Sequence, residues 1–145
     1  MIIVEINNQT RARISRKFVG DVIKSILKKL TLQQVRGVNI KKATVSVALV
    51  DERTIKRLNK CYRGKNEVTD VLSFEAGRSK EFVSASVDKN YLGEIIICYP
   101  RAKKQAEEFG HPVKEELKIL LKHGLLHLLG YSHKEMERIT QHVGL

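Results

Sequence analysis

Residues 113–133, VKEELKILLKHGLLHLLGYSH, limit the possible folds more than any other stretch of the chain. Leu117, Ile119, Leu120, Leu121, Leu125, Leu126, Leu128 and Leu129 make a helix over 113–129 apolar on most of its sides. Such a helix belongs at the centre of a domain, buried among other elements. Pro112 opens it and Gly130 stops it. His123, His127 and His133, three of the five histidines, stand at i, i+4 and i+10 along this stretch. They are either hydrogen-bonded core residues or ligands of an ion. Residues four apart lie one above the other on a helix, so His123 and His127 project from one face, close enough to share a metal. Gly130 has no Cβ and can take the left-handed conformation that turns the chain back, which lets His133 approach the same ion. Three neutral imidazoles with an open fourth position describe a catalytic site, because a structural zinc site closes with four protein ligands. This H-x3-H-x5-H pattern predicts one divalent metal ion.

The spacing also reproduces the protease pattern H-E-x-x-H-x-x-G-x-x-H at every position but one. Gly124 stands where those proteases carry the glutamate that activates water. The ligand geometry is kept and the base is missing, which argues for the metal and against peptide hydrolysis by that route.

The remaining pattern supplies the frame. Ile2–Ile6 alternate as an opening strand, and residues 12–30 form an amphipathic helix with Ile14, Phe18, Val22, Ile26 and Leu30 at four-residue spacing. Residues 43–50 (ATVSVALV) are β-branched and read as a strand, and Asp51 caps a short helix over 52–62. A polar connection over 63–70 leads to a strand at 71–75 (VLSFE), and a polar stretch over 76–91 leads to a fourth strand at 92–99 (LGEIIICY). Helices follow over 100–109, where Pro100 sits at the tolerated first position, over 113–129, and over 134–143. There are no repeats and no linker, so residues 1–145 read as one domain. The expected class is α+β: a mixed four-stranded sheet packed with helices, the buried 113–129 helix carrying the histidines.

Charge points to a partner. Lys and Arg number 27 against 16 acidic residues, a net +11, which suits nucleic acid first and an anionic membrane surface second, or a merely basic surface. Arg13, Arg16, Lys17, Lys24, Lys28 and Lys29 on the first helix, with Arg53, Lys56, Arg57 and Lys60 on the second, can hold an RNA backbone with little sequence preference. No apolar run approaches the roughly 18 residues that cross a bilayer, and MIIVEINNQT does not resemble a signal peptide. Cys61 and Cys98 lack C-x-x-C spacing and read as reduced thiols; together these features lead us to expect a cytoplasmic protein. His111 and His142 lie outside the histidine pattern and read as surface or capping residues.

Three segments, in order, carry a family resemblance. HGLLHLLGYSH (123–133), LNKCYRGKNEVTDVLSFE (58–75) and LGEIIIC (92–98) resemble the signature blocks of the YbeY family, bacterial metal-dependent endoribonucleases of ribosomal RNA maturation. The resemblance implies metal binding, usually zinc, by His123, His127 and His133. It implies a functional role for Arg63, and a cleft lined or supported by Thr69, Asp70 and Ser73. It further implies partners in RNA and the ribosome, without DNA specificity. Two positions depart from it: Ser132 replaces the usual Asp before the last histidine, and Glu94 replaces the usual Asp of the fourth strand.

Arg63 precedes a Gly-containing turn, Arg63-Gly64-Lys65, and a guanidinium suits the charge on a crowded phosphorus better than an ammonium does. Lys65, Asp70, Ser73 and Glu94 are expected to bind substrate or orient a ligand histidine. Asp70 caps a turn or orients an imidazole, and Glu94 is a supporting group or a proton acceptor. Tyr62 and Tyr131 stack on bases or pack in the core. The expected function is a single-strand-acting, metal-dependent endoribonuclease of ribosomal RNA processing and ribosome quality control, with metal-bound water or hydroxide and Arg63 assisting cleavage. The alternatives are a zinc metalloprotease-like hydrolase and a non-catalytic RNA- or ribosome-binding protein with a structural metal.

Overall fold

The computed structural model describes residues 1–30, 39–76 and 90–143, the side chains of 142 and 143 excepted. Most of the expected polar stretch over 76–91, and the side chain of His142, therefore lie outside the described residues. Four strands form one mixed sheet: β1 (Ile3–Asn8), β2 (Thr44–Val50), β3 (Val71–Glu75) and β4 (Tyr91–Cys98), in the order β1-β2-β4-β3. β1, β2 and β4 run parallel, and β3 pairs antiparallel with β4, with Val71 opposite Ile97 and Glu75 opposite Gly93. The helices are α1 (Arg16–Lys29), α2 (Glu52–Arg63), α3 (Tyr99–Phe109), α4 (Val113–Leu128) and α5 (His133–Val143). This is the expected α+β class.

Alternation along the strands divides the core. Val45, Val47, Leu49, Ile95 and Ile97 point to the face covered by α1 and α4, where Ile23, Leu27, Leu117, Leu121 and Leu125 are almost completely buried. Ala48, Val50, Leu72, Phe74, Ile96 and Cys98 point to the other face, covered by Ile55 and Leu58 of α2. The buried α4 is the central helix that its leucines demanded.

Element ends differ from the sequence reading for local reasons. α1 begins at Arg16, not at residue 12, because Asn8 and Thr10 form a side-chain turn and Ser15 caps the helix by accepting the Phe18 N–H at 3.2 Å. Ile14 still packs on the core from outside the helix, so the four-residue spacing reports burial there and not backbone. α3 starts at Tyr99, one residue ahead of Pro100, and Pro112 is the N-cap of α4. Among the described residues no helix is long and apolar enough to cross a membrane.

Candidate metal centre

α4 ends in a Schellman motif. The Tyr131 N–H donates to the Leu126 carbonyl at 3.1 Å and the Gly130 N–H to the His127 carbonyl at 2.9 Å, with Gly130 at φ 84°. Ser132 then caps α5: its Oγ accepts the Glu135 N–H at 3.2 Å and its carbonyl accepts the Met136 N–H at 2.8 Å. Between these two caps the chain reverses and His133, the first residue of α5, faces the end of α4. The ring centroids of His133 lie 5.5 Å from His123 and 5.2 Å from His127.

The three imidazoles fit a metal. His123 Nε2 and His127 Nε2 are 3.1 Å apart, and all three ligand nitrogens lie within 4.8 Å of one another. Two nitrogens bound at about 2.0–2.1 Å to a tetrahedral zinc stand roughly 3.3 Å apart, so the α4 pair is already at ligand spacing. His133 is exposed and free to close on the pair. Burial lowers the pKa of His123 and, secondarily, so does His133. Burial is also the largest cause for His127, followed by His123, His133 and the Arg63 cation. Both rings are thereby held in the neutral form that metal binding requires.

The histidines open into a cleft of about 770 Å³ that runs along β3, the edge strand of the sheet. Arg63, Lys65, Thr69, Asp70 and Ser73 line it, so the structure gathers these expected residues around the imidazoles. Arg63 reaches over from α2, donating from Nη2 to the Ser73 carbonyl at 2.9 Å, with its guanidinium 5.9 Å from the Phe74 ring centroid. Ser73 ties strand to helix, its Oγ donating to the Gly124 carbonyl at 3.3 Å. The Asp70 carboxylate takes long bonds, 3.4 Å each, from Thr69 Oγ1 and Gln105 Nε2, and its charge reaches His123. Tyr62 lines the cleft with its ring edge-on to Phe74 at 5.3 Å, whereas Tyr131 packs against the core.

Gly124 has a packing reason. A Cβ there would meet Ile95 Cγ2 at 2.7 Å and Ser73 Oγ at 3.2 Å, so position 124 faces the sheet and not the cleft. A side chain at this position would collide with the buried Ile95.

Glu94 is not brought to the histidines. It shares the α2 face of β4 with Ile96 and Cys98 and lines a separate cavity with Glu5, Ser46, Tyr91 and Arg57. Burial raises its carboxyl pKa to about 7. The expectation that it supports the metal site is corrected by strand alternation, since Ile95 and Ile97 are the residues of β4 on the α4 side. Cys98 is buried in the α2-face cluster, away from the centre. The His111 N–H closes the end of α3 by donating to the Ala106 carbonyl at 3.0 Å, and its half-buried ring pairs through Nε2 at 2.7 Å with the buried carboxylate of Glu116.

Sequence reasoning missed Asn59 and Gln105. Asn59 left a signal, a polar residue within the apolar stripe Ile55–Leu58 of an amphipathic helix, and it is 3% exposed. Gln105 left none, because its partner Asp70 comes from another element.

The fold and site define a class: an α+β domain with a three-histidine centre set at the open edge of a mixed sheet, flanked by arginine and lysine. Comparison with known proteins gives the family. The model of the family described as endoribonuclease YbeY matches residues 5–142. The endoribonuclease YbeY of Persephonella marina is 41% identical over 128 residues, which are 88% of this chain and 76% of that protein. The endoribonuclease YbeY of Finegoldia magna is 40% identical over 140 residues, 96% of this chain and 86% of that protein. The solution structure of TM1509 from Thermotoga maritima superposes with a TM-score of 0.60 at 28% identity, covering 97% of this chain and 86% of that one. The chain belongs to the YbeY endoribonuclease family, and so to the hydrolytic RNA-cleaving enzymes.

Proposed function

We propose that this chain cuts single-stranded segments of ribosomal RNA during maturation and ribosome quality control, using one zinc ion held by His123, His127 and His133. The observation that carries this reading is the meeting of three imidazoles, two of them held neutral by burial, and the Arg63 guanidinium in one cleft. When bound, the ion supplies Lewis acidity toward a phosphoryl oxygen and brings water to a pKa of about 7. Arg63 spends one of its five N–H donors on the Ser73 carbonyl, which aims the fork; the others remain for the non-bridging oxygens of the scissile phosphate. Lys65 stands exposed on the same rim and takes an adjacent phosphate. Asp70 and Ser73 hold their places as supports, Asp70 through its charge on His123 and Ser73 through the Arg63 and Gly124 contacts.

The protease alternative lacks the glutamate base of the H-E-x-x-H pattern, since that position is Gly124, packed against Ile95. The test is an assay of purified protein of measured metal content on a structured RNA and on denatured casein. RNA is expected to be cut and casein spared. His123→Ala is expected to lose metal and activity together, and Arg63→Ala to keep its metal while slowing about 10²–10³-fold, the usual loss of one transition-state donor. Casein cleavage that persists under RNA competition would overturn the reading.

A further inference from the structure

Asn59 lies on α2, one turn before Arg63, at a position where the helix buries its face; it is 3% exposed and lines the cleft. Its Nδ2 donates to the Glu67 carbonyl at 3.0 Å, and its own carbonyl accepts the Lys65 N–H at 3.3 Å. One residue thus grips the connection 64–70 at two points. That connection leaves the helix at Gly64, a left-handed residue at φ 69°, and ends at Asp70, whose carbonyl accepts the Cys98 N–H at 2.8 Å where the β3–β4 ladder begins. Arg63 stands immediately before it, and Lys65, Glu67, Thr69 and Asp70 all line the cleft. The Asn59 amide oxygen has no hydrogen-bond partner among the described residues, so the amide is buried with part of its capacity unspent. A leucine would pack at this position with less desolvation; what it would lack is the grip on the Glu67 carbonyl.

We propose that Asn59 is a positioning residue for RNA cleavage. Its amide fixes the 64–70 connection between α2 and β3, and so keeps the Arg63 guanidinium on the Ser73 carbonyl and Lys65 on the rim of the cleft that holds the histidines. Nothing in this role requires Asn59 to touch the metal. The proposal rests on the reading of Arg63 given above.

A double-mutant cycle tests it, with cleavage of a labelled single-stranded RNA oligonucleotide as the readout, alongside metal content and Tm of each variant. Asn59→Ala removes the clamp, and Asn59→Asp keeps the shape while replacing the donor with an oxygen. Either is expected to lower kcat about 10- to 100-fold with metal content unchanged, the scale of loss when a catalytic group is misplaced by about an ångström. Asn59→Asp/Arg63→Ala is expected to be no slower than Arg63→Ala alone, because the clamp acts through the arginine. A general loss of folding would instead multiply the two effects. Wild-type kcat in Asn59→Asp beside an impaired Arg63→Ala overturns the proposal. So do multiplicative losses in the double variant, or a loss that tracks metal content or unfolded fraction. Full activity of Arg63→Ala would remove the reading of the arginine itself, a separate failure.

Discussion

Replacing Gly124 by alanine sets two known effects against each other. Alanine is favoured over glycine within a helix by about 0.8–1 kcal/mol. At position 124 the new methyl would stand 2.7 Å from Ile95 Cγ2 and 3.2 Å from Ile95 Cγ1, where carbon contacts normally begin near 3.5 Å. Ile95 is fully buried and β-branched, so it has no spare rotamer to retreat into, and α4 must back away from β4. Overpacking of this kind costs about 1–3 kcal/mol, so the helix gain is outweighed and the net loss is roughly 1 kcal/mol. For a domain near this size that lowers Tm by about 2–4 °C. Because His123 precedes the glycine, withdrawal of the helix also moves the imidazole pair away from Arg63, and RNA cleavage should fall more than Tm suggests. Gly124→Glu, which restores the protease-like H-E-x-x-H, buries a carboxylate against Ile95 at a cost of several kcal/mol and is expected to unfold the domain without yielding casein cleavage. Thermal unfolding and RNA cleavage on the three proteins decide it. A Gly124→Ala variant at least as stable as wild type, with unchanged cleavage, would refute the claim that close approach of α4 to β4 requires this glycine.

Other outcomes follow from the same structure. Zinc added to apo protein at 100 times its Kd should stabilise the fold by about 2.7 kcal/mol, seen as a rise in Tm that His127→Ala abolishes. In the apo protein His123 and His127 titrate below the ordinary 6.5, so the unfolded chain takes up protons first as pH falls; stability should drop below about pH 6.5 in wild type, and less so in a His123→Ala/His127→Ala variant. Glu94 has the opposite sign, its carboxyl raised from 4.5 to about 7; it contributes stability below pH 4.5 that is lost as pH rises through 7, so Glu94→Gln should gain Tm relative to wild type between pH 5 and pH 8. Ser132→Ala removes the cap of α5 and should cost about 1 kcal/mol, whereas Ser132→Asp caps equally well and should leave unfolding nearly unchanged.

The three-histidine cluster was legible in the sequence because all three residues lie within eleven positions joined by one helix end, so helical spacing and a glycine bring them together. The same holds for α4, whose leucines have no other place to go. Glu94 was misplaced because its face of β4 is decided by pairing: Gly93 beside it and the next isoleucines look alike from either side until β2 and β3 are set against them. The order β1-β2-β4-β3 and the position of β3 at the edge were equally out of reach, being products of long-range pairing. Asn59 and Gln105 belong to the same category, their roles arising from partners eight and 35 residues away.

The edge position of β3 explains why the cleft holds what it does. A sheet covered on both faces keeps the groups of its two helical layers apart, and the core between them accepts no charge without a partner. At an edge strand the layers meet: α2 sends Arg63 from one face and α4 sends His123 and His127 from the other, while the leucines of α4 stay buried. An open edge also exposes backbone groups that invite pairing with another chain. Here the strand is five residues long and the Ser73 carbonyl is taken up by Arg63, so the contact that aims the guanidinium also blunts the edge. The third imidazole comes from beyond α4, because the helix stops at Leu128. Gly130 stops it and Ser132 restarts the chain as α5, and for that purpose serine serves as well as the family's aspartate. The departure at position 132 thus leaves His133 beside the α4 pair, and any proton-transfer role carried by an aspartate there is absent from this protein.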